Sequence, residues 1–225
     1  MFFSIKKRKV EAFTLIELLI SIGIITMMSM IMFYKYPDSA VRVNLANTTY
    51  KLAYFIKEAQ LRGSSVDSSS GTIGGYGVYL YNNNKDRAVM WADNVDSSIV
   101  TYSGIGIGNS LYDIGTEAST TMLFGTNFYI SNICVTISGT NGTISCSNDV
   151  NGNVNPSALF SIIRIVFVRP NPQAMIYING NTSNPEDNAC IELSTKDNWL
   201  PGHKRSVHVF NSGVVYTSSA PCSTN

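Results

Sequence analysis

The run Ala12-Phe13-Thr14-Leu15-Ile16-Glu17-Leu18-Leu19-Ile20-Ser21-Ile22 decides the fold of this chain. One carboxylate, Glu17, lies inside an apolar stretch that otherwise continues without a charge to Tyr34. The basic cluster Lys6-Lys7-Arg8-Lys9 precedes it. A charge well inside a membrane helix costs about 2.5 to 3.5 kcal/mol on insertion scales and marks a functional site by default. We therefore expect Glu17 to have a partner cation.

The segment from Phe13 to Tyr34 is long enough to cross a membrane. A helix of its 22 residues, at about 1.5 Å rise per residue, spans a hydrocarbon core of about 30 Å. The basic residues before it orient the span by the positive-inside rule. The sequence thus predicts a single-pass protein of the inner (cytoplasmic) membrane, with its N-terminus inside and an extracytoplasmic head.

Two simpler interpretations compete for this segment, a cleaved secretory signal and a plain signal anchor. The apolar run exceeds the usual h-region of about 7 to 15 residues and lacks a clear small-x-small cleavage site at its far end. A plain anchor explains the length, but it gives no reason for an acid near its start, where an apolar residue would insert at lower cost. Neither interpretation accounts for Glu17.

The sequence FTLIELLISIGII (residues 13–25), behind a short basic leader, closely resembles the class III signal of type IV prepilins and type II secretion pseudopilins. The resemblance implies that a membrane peptidase cuts between Ala12 and Phe13 and that the new N-terminus on Phe13 is methylated. Glu17 becomes the fifth residue of the mature chain. Ala12 stands where the family usually has Gly, and Glu11 adds an acid to the leader. Cleavage would create an ammonium on Phe13 close to the depth of Glu17, so that assembled subunits can pair the two charges.

Apolar positions continue beyond the membrane at a spacing of three to four residues. This pattern predicts a helix to about Arg62, with an apolar stripe packed against a globular domain. The stripe consists of Leu45, Leu52, Phe55, Ile56 and Ala59.

The rest of the chain has the period-two alternation and β-branched residues of strands. The predicted strands are Tyr76 to Tyr81, Arg87 to Ala92, Ser98 to Tyr102, Met122 to Ile130, Phe160 to Val168, Ala174 to Ile178 and Ala189 to Leu193, with a C-terminal hairpin from Ser206 to Thr217. A helix followed by strands predicts an α+β, type IV pilin-like fold, in which a long N-terminal helix packs against an antiparallel sheet. The predicted parts are a cleaved leader (1–12), a transmembrane helix (13–34), an amphipathic helix extension (35–63) and a β-rich head (64–225).

The four cysteines lie beyond the span, in a compartment that permits oxidation, so that two disulfides are expected among Cys134, Cys146, Cys190 and Cys222. Four cysteines allow three pairings. The turn-forming Gly139-Thr140-Asn141-Gly142 favours a hairpin that brings Cys134 opposite Cys146, which leaves Cys190 with Cys222 by elimination. Neither a CxxC motif nor a Cys-His ligand spacing is present, so the pattern predicts no zinc site and no thioredoxin-like redox centre.

The sequence offers little for catalysis. His203 and His208 lie outside any motif with Ser, Cys or carboxylates that would support nucleophilic chemistry. Gly104-Ile105-Gly106-Ile107-Gly108 lacks the Lys-Ser/Thr of a phosphate-binding loop and is interpreted as a turn or flexible loop. Asp93, Asp96 and Asp113 lack the spacing of a calcium loop. We predict no catalytic residue, no cofactor and no metal, and hence no enzyme.

The part after Tyr34 is nearly neutral, since 12 of the 16 Lys and Arg residues and 13 of the 15 acids lie there. Four basic residues, Arg164, Arg169, Lys204 and Arg205, come from regions that could be neighbours. In the type IV pilin and pseudopilin family that the N-terminal segment resembles, some minor subunits hold DNA with basic surface residues, so a filament-associated DNA receptor for uptake is the alternative function.

A closer resemblance, to the minor pilins and H-type minor pseudopilins, rests on three segments: residues 52–63, the Tyr-Gly-Val-Tyr-Leu strand at residues 76–80, and the closing residues 209–216. It implies a structural minor subunit of a type IV pilus or type II secretion filament. Its expected partners are other pilin subunits, the prepilin peptidase and methyltransferase, the inner-membrane assembly platform and membrane lipid.

Overall fold

The structure of the protein is a computed structural model that describes residues 13–65, 73–81, 85–94, 100–102, 105–107, 119–137, 139, 143–147, 162–168, 172–179, 185–196 and 203–222. The leader (1–12) lies outside these residues, as do Asp96, Gly104, Asp113 and Arg169. The chain forms two compact units that divide between Val41 and Arg42.

One helix, α1 (Leu15–Ser64), begins in the first unit and ends in the second. Its first part, Leu15–Met32, has a mean hydropathy of 2.2 and none of its residues is buried within the protein, which makes it long and apolar enough to cross a membrane. The helix ends two residues beyond the Arg62 predicted from the spacing. One continuous helix therefore has an exposed apolar first part and a last part that belongs to the second unit.

After the helix, the described residues of the second unit form twelve strands: β1 (Ile73–Tyr81), β2 (Arg87–Asn94), β3 (Val100–Tyr102), β4 (Ile105–Ile107), β5 (Ser119–Leu123), β6 (Phe128–Thr136), β7 (Ile144–Cys146), β8 (Ile162–Val168), β9 (Ala174–Ile178), β10 (Asn188–Thr195), β11 (Lys204–Phe210) and β12 (Val215–Ser218). The first sheet has the order β5-β2-β1-β8-β9, and the second has the order β12-β11-β10-β6-β7. Strands β3 and β4 pair with each other. All the strand pairings are antiparallel.

The second half of α1 and both sheets share one hydrophobic core. The predicted helix stripe is confirmed, because Leu45, Leu52, Phe55, Ile56 and Ala59 are all buried in this core. Val78, Ile165 and Ile176 contribute from the first sheet, and Ile191 and Val207 from the second. The fold is therefore α+β, with an apolar N-terminal helix followed by antiparallel sheets, as predicted and consistent with a pilin-like fold.

A bulge in β6 explains why its alternation breaks. Glu192 of β10 pairs with Asn132, whereas Leu193 pairs with Ile130, so Ser131 has no opposite residue. Both Ile130 and Ile133 consequently face the core, although they are three residues apart. The Ser131 hydroxyl donates a 2.6 Å hydrogen bond to Glu192 Oε1.

Two of the predicted segments are wrong. Met122 to Ile130 is not one strand: it forms the end of β5 in the first sheet and the start of β6 in the second, with a turn between them. Gly125 has a φ of 89°, a conformation that a residue with Cβ rarely adopts, and it allows the chain to cross from one sheet to the other. Ile105–Ile107, predicted to be part of a loop, is strand β4, because it pairs with β3.

Candidate functional site

The apolar segment begins with a capped helix end. Thr14 precedes α1, and its side-chain oxygen accepts a 3.3 Å hydrogen bond from the Glu17 backbone N–H. The Thr14 carbonyl accepts bonds from the N–H groups of Glu17 (3.1 Å) and Leu18 (3.2 Å). A threonine at this position satisfies one of the N–H groups that the first helical turn leaves unpaired.

The hydroxyl groups farther along the apolar helix are also satisfied by its own backbone. Ser21 donates to the Glu17 carbonyl at 2.7 Å, Thr26 to the Gly23 carbonyl at 2.9 Å, and Ser29 to the Ile25 carbonyl at 2.8 Å. An unsatisfied polar group costs several kcal/mol in lipid, so this arrangement suits a hydrocarbon environment.

The large apolar side chains of this segment are exposed. Phe13 is 75% exposed and Leu15 is 79% exposed, and the other large apolar residues up to Met32 are all at least half exposed. Soluble domains rarely expose contiguous apolar surface of this extent, which marks membrane or protein contact. The exposed side chains therefore favour contact with lipid or with another protein surface.

Glu17 lies one turn into this apolar surface. Among the residues that the structure describes, no basic group forms an ion pair with its carboxylate. Thr14 and Glu17 occupy the two positions of a capping-box pattern, and an acid in the first helical turn is favoured by about 0.3 to 1 kcal/mol through the helix dipole. This gain offsets only a fraction of the roughly 2.5 to 3.5 kcal/mol that burying the charge in lipid costs. The stabilisation at the helix end therefore does not by itself account for a charged side chain at Glu17.

The other predicted residues fall in separate places. Ala12 lies outside the described residues, whereas Phe13 immediately precedes the capped end of α1. Cys134 is bonded to Cys146, with Cα atoms 4.0 Å apart, and Cys190 to Cys222, with Cα atoms 5.9 Å apart. This is the pairing that the predicted hairpin favours.

Among the described residues, the basic side chains considered for DNA binding lie on different sheets. Arg164 is only 2% exposed and lies on β8 of the first sheet, 6.0 Å from the centroid of the Tyr177 ring. Burial lowers the pKa of its guanidinium, while Tyr177, Tyr79 and Asp93 oppose this shift. Lys204 lies on the second sheet and its Nζ is 3.0 Å from Glu192 Oε1.

His203 immediately precedes β11, and His208 lies within that strand of the second sheet. His208 is half-buried, and desolvation lowers its pKa. Its Nε2 lies 3.0 Å from Ser206 Oγ and 3.6 Å from Cys190 Sγ, and its ring stacks on Tyr216 at 4.7 Å. In the described part of the chain, no group of three or more His, Cys, Asp or Glu residues is placed to hold a metal ion.

The N-terminal segment matches a known family model. Residues 7–33 match the model of the prokaryotic N-terminal methylation motif. No curated protein and no solved structure matches the chain significantly. The motif is that of structural subunits rather than enzymes, and it supports a type IV pilin or pseudopilin that is processed by prepilin peptidase and assembles with other pilin subunits. With the apolar helix, it indicates membrane anchoring.

Thr14 caps the helix end, a role that the sequence interpretation did not assign to it. The signal was present, because a Thr three residues before a Glu at the start of an apolar run is the sequence pattern of a capping box. The same pattern places Glu17 in the first helical turn, where the helix dipole favours an acid.

Proposed function

We propose that this chain is a minor subunit of a type IV filament machine, most similar to the H-type minor pseudopilins. It is inserted as a prepilin, cleaved between Ala12 and Phe13, methylated on Phe13, and packed into a filament or its tip by the apolar helix. The observation that carries this proposal is the exposed apolar helix with one carboxylate in its first turn, inside the segment that matches the methylation motif. Its work is assembly rather than turnover.

The cleavage supplies the cation that Glu17 requires. The new α-amine on Phe13 and the Glu17 carboxylate are four residues apart, or about 6 Å along the helix axis. In an assembled filament, the amine of one subunit pairs with Glu17 of its neighbour, in surroundings that penalise either charge alone. The pair consequently sets the axial register of the two subunits.

The same N-terminal segment indicates on which side of the membrane the leader and the head lie. The basic leader remains in the cytoplasm, where the peptidase and methyltransferase act, and the head is extracytoplasmic, where both disulfides are stable. The assembly platform in the inner membrane then transfers the helix from lipid into the filament. The disulfides Cys134–Cys146 and Cys190–Cys222 support this side of the membrane for the head.

The proposal is tested by neutralising Glu17 in the native host. Glu17→Gln keeps the side-chain shape and Glu17→Val makes it apolar, while Ile20→Val on the same helix is the matched control. Breaking a buried ion pair costs about 3 to 5 kcal/mol, so both Glu17 variants should reduce the assembled fraction, collected by shearing and sedimentation, by at least about tenfold. Membrane insertion and the Ile20→Val variant should be normal. Equal assembly of Glu17→Gln and the unchanged protein would refute the proposed pairing.

A further inference from the structure

The two disulfide bonds of the head pack against each other, so that the four cysteines form one cluster. Cys146, Cys134 and Cys190 occupy directly opposed positions on β7, β6 and β10, and His208 and Tyr216 continue this row on β11 and β12. Cys222 joins the row through its bond to Cys190. All four half-cystines pack together in one small buried cluster, apart from the main core.

The register gives Cys134 two neighbouring sulfurs. It is bonded to Cys146 on one side and lies directly opposite Cys190 on the other. Directly opposed residues of antiparallel strands have Cβ atoms about 4.5 to 5.5 Å apart, and a disulfide needs about 3.5 to 4.5 Å. A shift of about 1 Å therefore brings Cys134 and Cys190 into bonding range. Cys146 and Cys190 are separated by a whole strand, or roughly 9 to 10 Å, which excludes a direct bond.

His208 provides a hydrogen-bond donor at this position. The Ser206 hydroxyl donates its one proton to the Ala220 carbonyl at 2.7 Å. The 3.0 Å contact between Ser206 Oγ and His208 Nε2 must then use a proton on Nε2. The same N–H faces Cys190 Sγ at 3.6 Å, so it can stabilise a negative charge on that sulfur.

We propose that this cluster is a disulfide-exchange site with two interchangeable pairings, in which the Cys134–Cys190 bond replaces both bonds of the resting state. A dithiol reductant of the extracytoplasmic space first reduces the Cys190–Cys222 bond to two thiols and is itself oxidised to a disulfide. The Cys190 thiolate, stabilised by His208, then attacks Cys134 Sγ. The Cys134–Cys190 bond forms, the Cys134–Cys146 bond breaks, and Cys146 leaves as a thiolate that takes a proton from water.

The exchange releases the end of the chain. In the resting state the segment from Ser218 to Cys222 is held by the Cys190–Cys222 bond, by the Ser206 bond to Ala220, and by a 3.1 Å bond from the Cys222 N–H to Glu192 Oε2. After exchange only the two hydrogen bonds remain, while β6 and β10 become covalently joined. A thiol reductant thus acts as a switch for the C-terminal segment, with one disulfide kept in the sheet.

A matched pair of variants of the full-length protein, purified in detergent, tests the proposal. Cys146→Ser and Cys134→Ser each free one thiol from the same disulfide, but only the Cys134 thiol faces Cys190. After acid quenching and alkylation, tryptic peptides report the bonds, because cleavage at Arg164, Lys196 and Arg205 puts Cys190 and Cys222 on separate peptides. Cys134 and Cys146 share one peptide, since the chain has no Lys or Arg from Ala88 to Ile163, and fragment ions that break this peptide between them show which one carries the link.

In Cys146→Ser we expect the peptide that contains Cys134 to be linked to the one that contains Cys190, with Cys222 alkylated. In Cys134→Ser the Cys190–Cys222 link should persist, with Cys146 alkylated. The unchanged protein in limiting dithiothreitol should give the same Cys134–Cys190 link. This sample tests the proposal without a substitution, so the test remains decisive if a variant fails to fold. An intact Cys190–Cys222 bond in folded Cys146→Ser, or no such link in the unchanged protein, would overturn the proposal.

The contribution of His208 is tested separately by the rate of exchange in the unchanged cysteine background. His208→Gln keeps an N–H donor, whereas His208→Phe keeps only a ring that can stack on Tyr216. A lost hydrogen bond to a charged group predicts exchange about tenfold slower in His208→Phe, and within about threefold of the unchanged rate in His208→Gln. Equal rates in both variants would remove His208 from the mechanism.

Discussion

Two opposing effects act on Glu17 in the first turn of α1, beside the capping residue Thr14. The helix end favours an acid at Glu17, because Thr14 caps the same turn and the helix dipole is positive there. The apolar surroundings oppose the charge by a larger amount. A second charge must supply the difference, and in the proposed function the Phe13 amine that cleavage creates supplies it.

At His208 the structure predicts a pH dependence of stability. Burial holds the pKa of this imidazole below its ordinary value of 6.5, so the unfolded chain binds a proton more readily than the folded one. The stabilisation is complete above about pH 6.5 and is lost as the pH falls through the lowered pKa. The free energy of unfolding should therefore decrease from pH 7 to pH 5.

This dependence can be assigned by comparison with His208→Phe, which does not titrate. Denaturant unfolding of both proteins at a series of pH values should show a smaller decrease in the variant. Parallel curves for the two proteins would contradict the assignment to His208.

Single residues were predicted where their type is unusual for its surroundings. A carboxylate in an apolar run is such a case, and so are cysteines that flank a turn. Arg164 was not predicted to be buried, because its neighbours Tyr177, Tyr79 and Asp93 lie on different strands and meet only through the sheet register. The burial of a charged residue depends on contacts that are distant in sequence.

At the scale of elements, α1 is held in the head by its buried stripe. Leu52 is fully buried among residues of the shared core, whereas Tyr54, two positions later, is 69% exposed. Leu52→Ala should lower the free energy of unfolding of the head by about 2 to 5 kcal/mol, since it removes buried methyl groups and leaves a cavity. Chemical denaturation of the purified protein measures this change.

Tyr54→Ala on the same helix is the matched control and should change the free energy of unfolding by no more than about 0.5 kcal/mol. A comparable loss in the two variants would show that the stripe is not what anchors the helix.

The elements themselves follow local patterns, which is why α1 and strands such as β9 were predicted within one or two residues. Residues 122–130 were misassigned, because Phe124-Gly125-Thr126 interrupts a run that otherwise has strand character. The deciding property is the positive φ of Gly125, which depends on where the two flanking strands find partners. Strand β4 was missed for the same reason, since three residues gain strand geometry only by pairing with β3.

At the scale of the whole molecule, the class of fold was predictable but the division into two five-stranded sheets was not. The sequence order alternates between them: β1 and β2 belong to the first sheet, β6 and β7 to the second, and β8 and β9 to the first again. Such crossings depend on long-range pairings that no local pattern encodes. The row that joins Cys146, Cys134, Cys190 and His208 is a product of this register and was accordingly absent from the sequence interpretation.

The central claim is that the functional molecule begins at Phe13, and that its α-amine forms an ion pair with Glu17 of a neighbouring subunit. The most direct measurement is mass spectrometry of the N-terminal peptide of the protein isolated from host membranes, beside a control coexpressed with an inactive prepilin peptidase. We predict a chain that starts at an N-methylated Phe13 in the first sample and retains residues 1–12 in the control. A membrane-bound chain that keeps its first twelve residues when the peptidase is active would contradict the account.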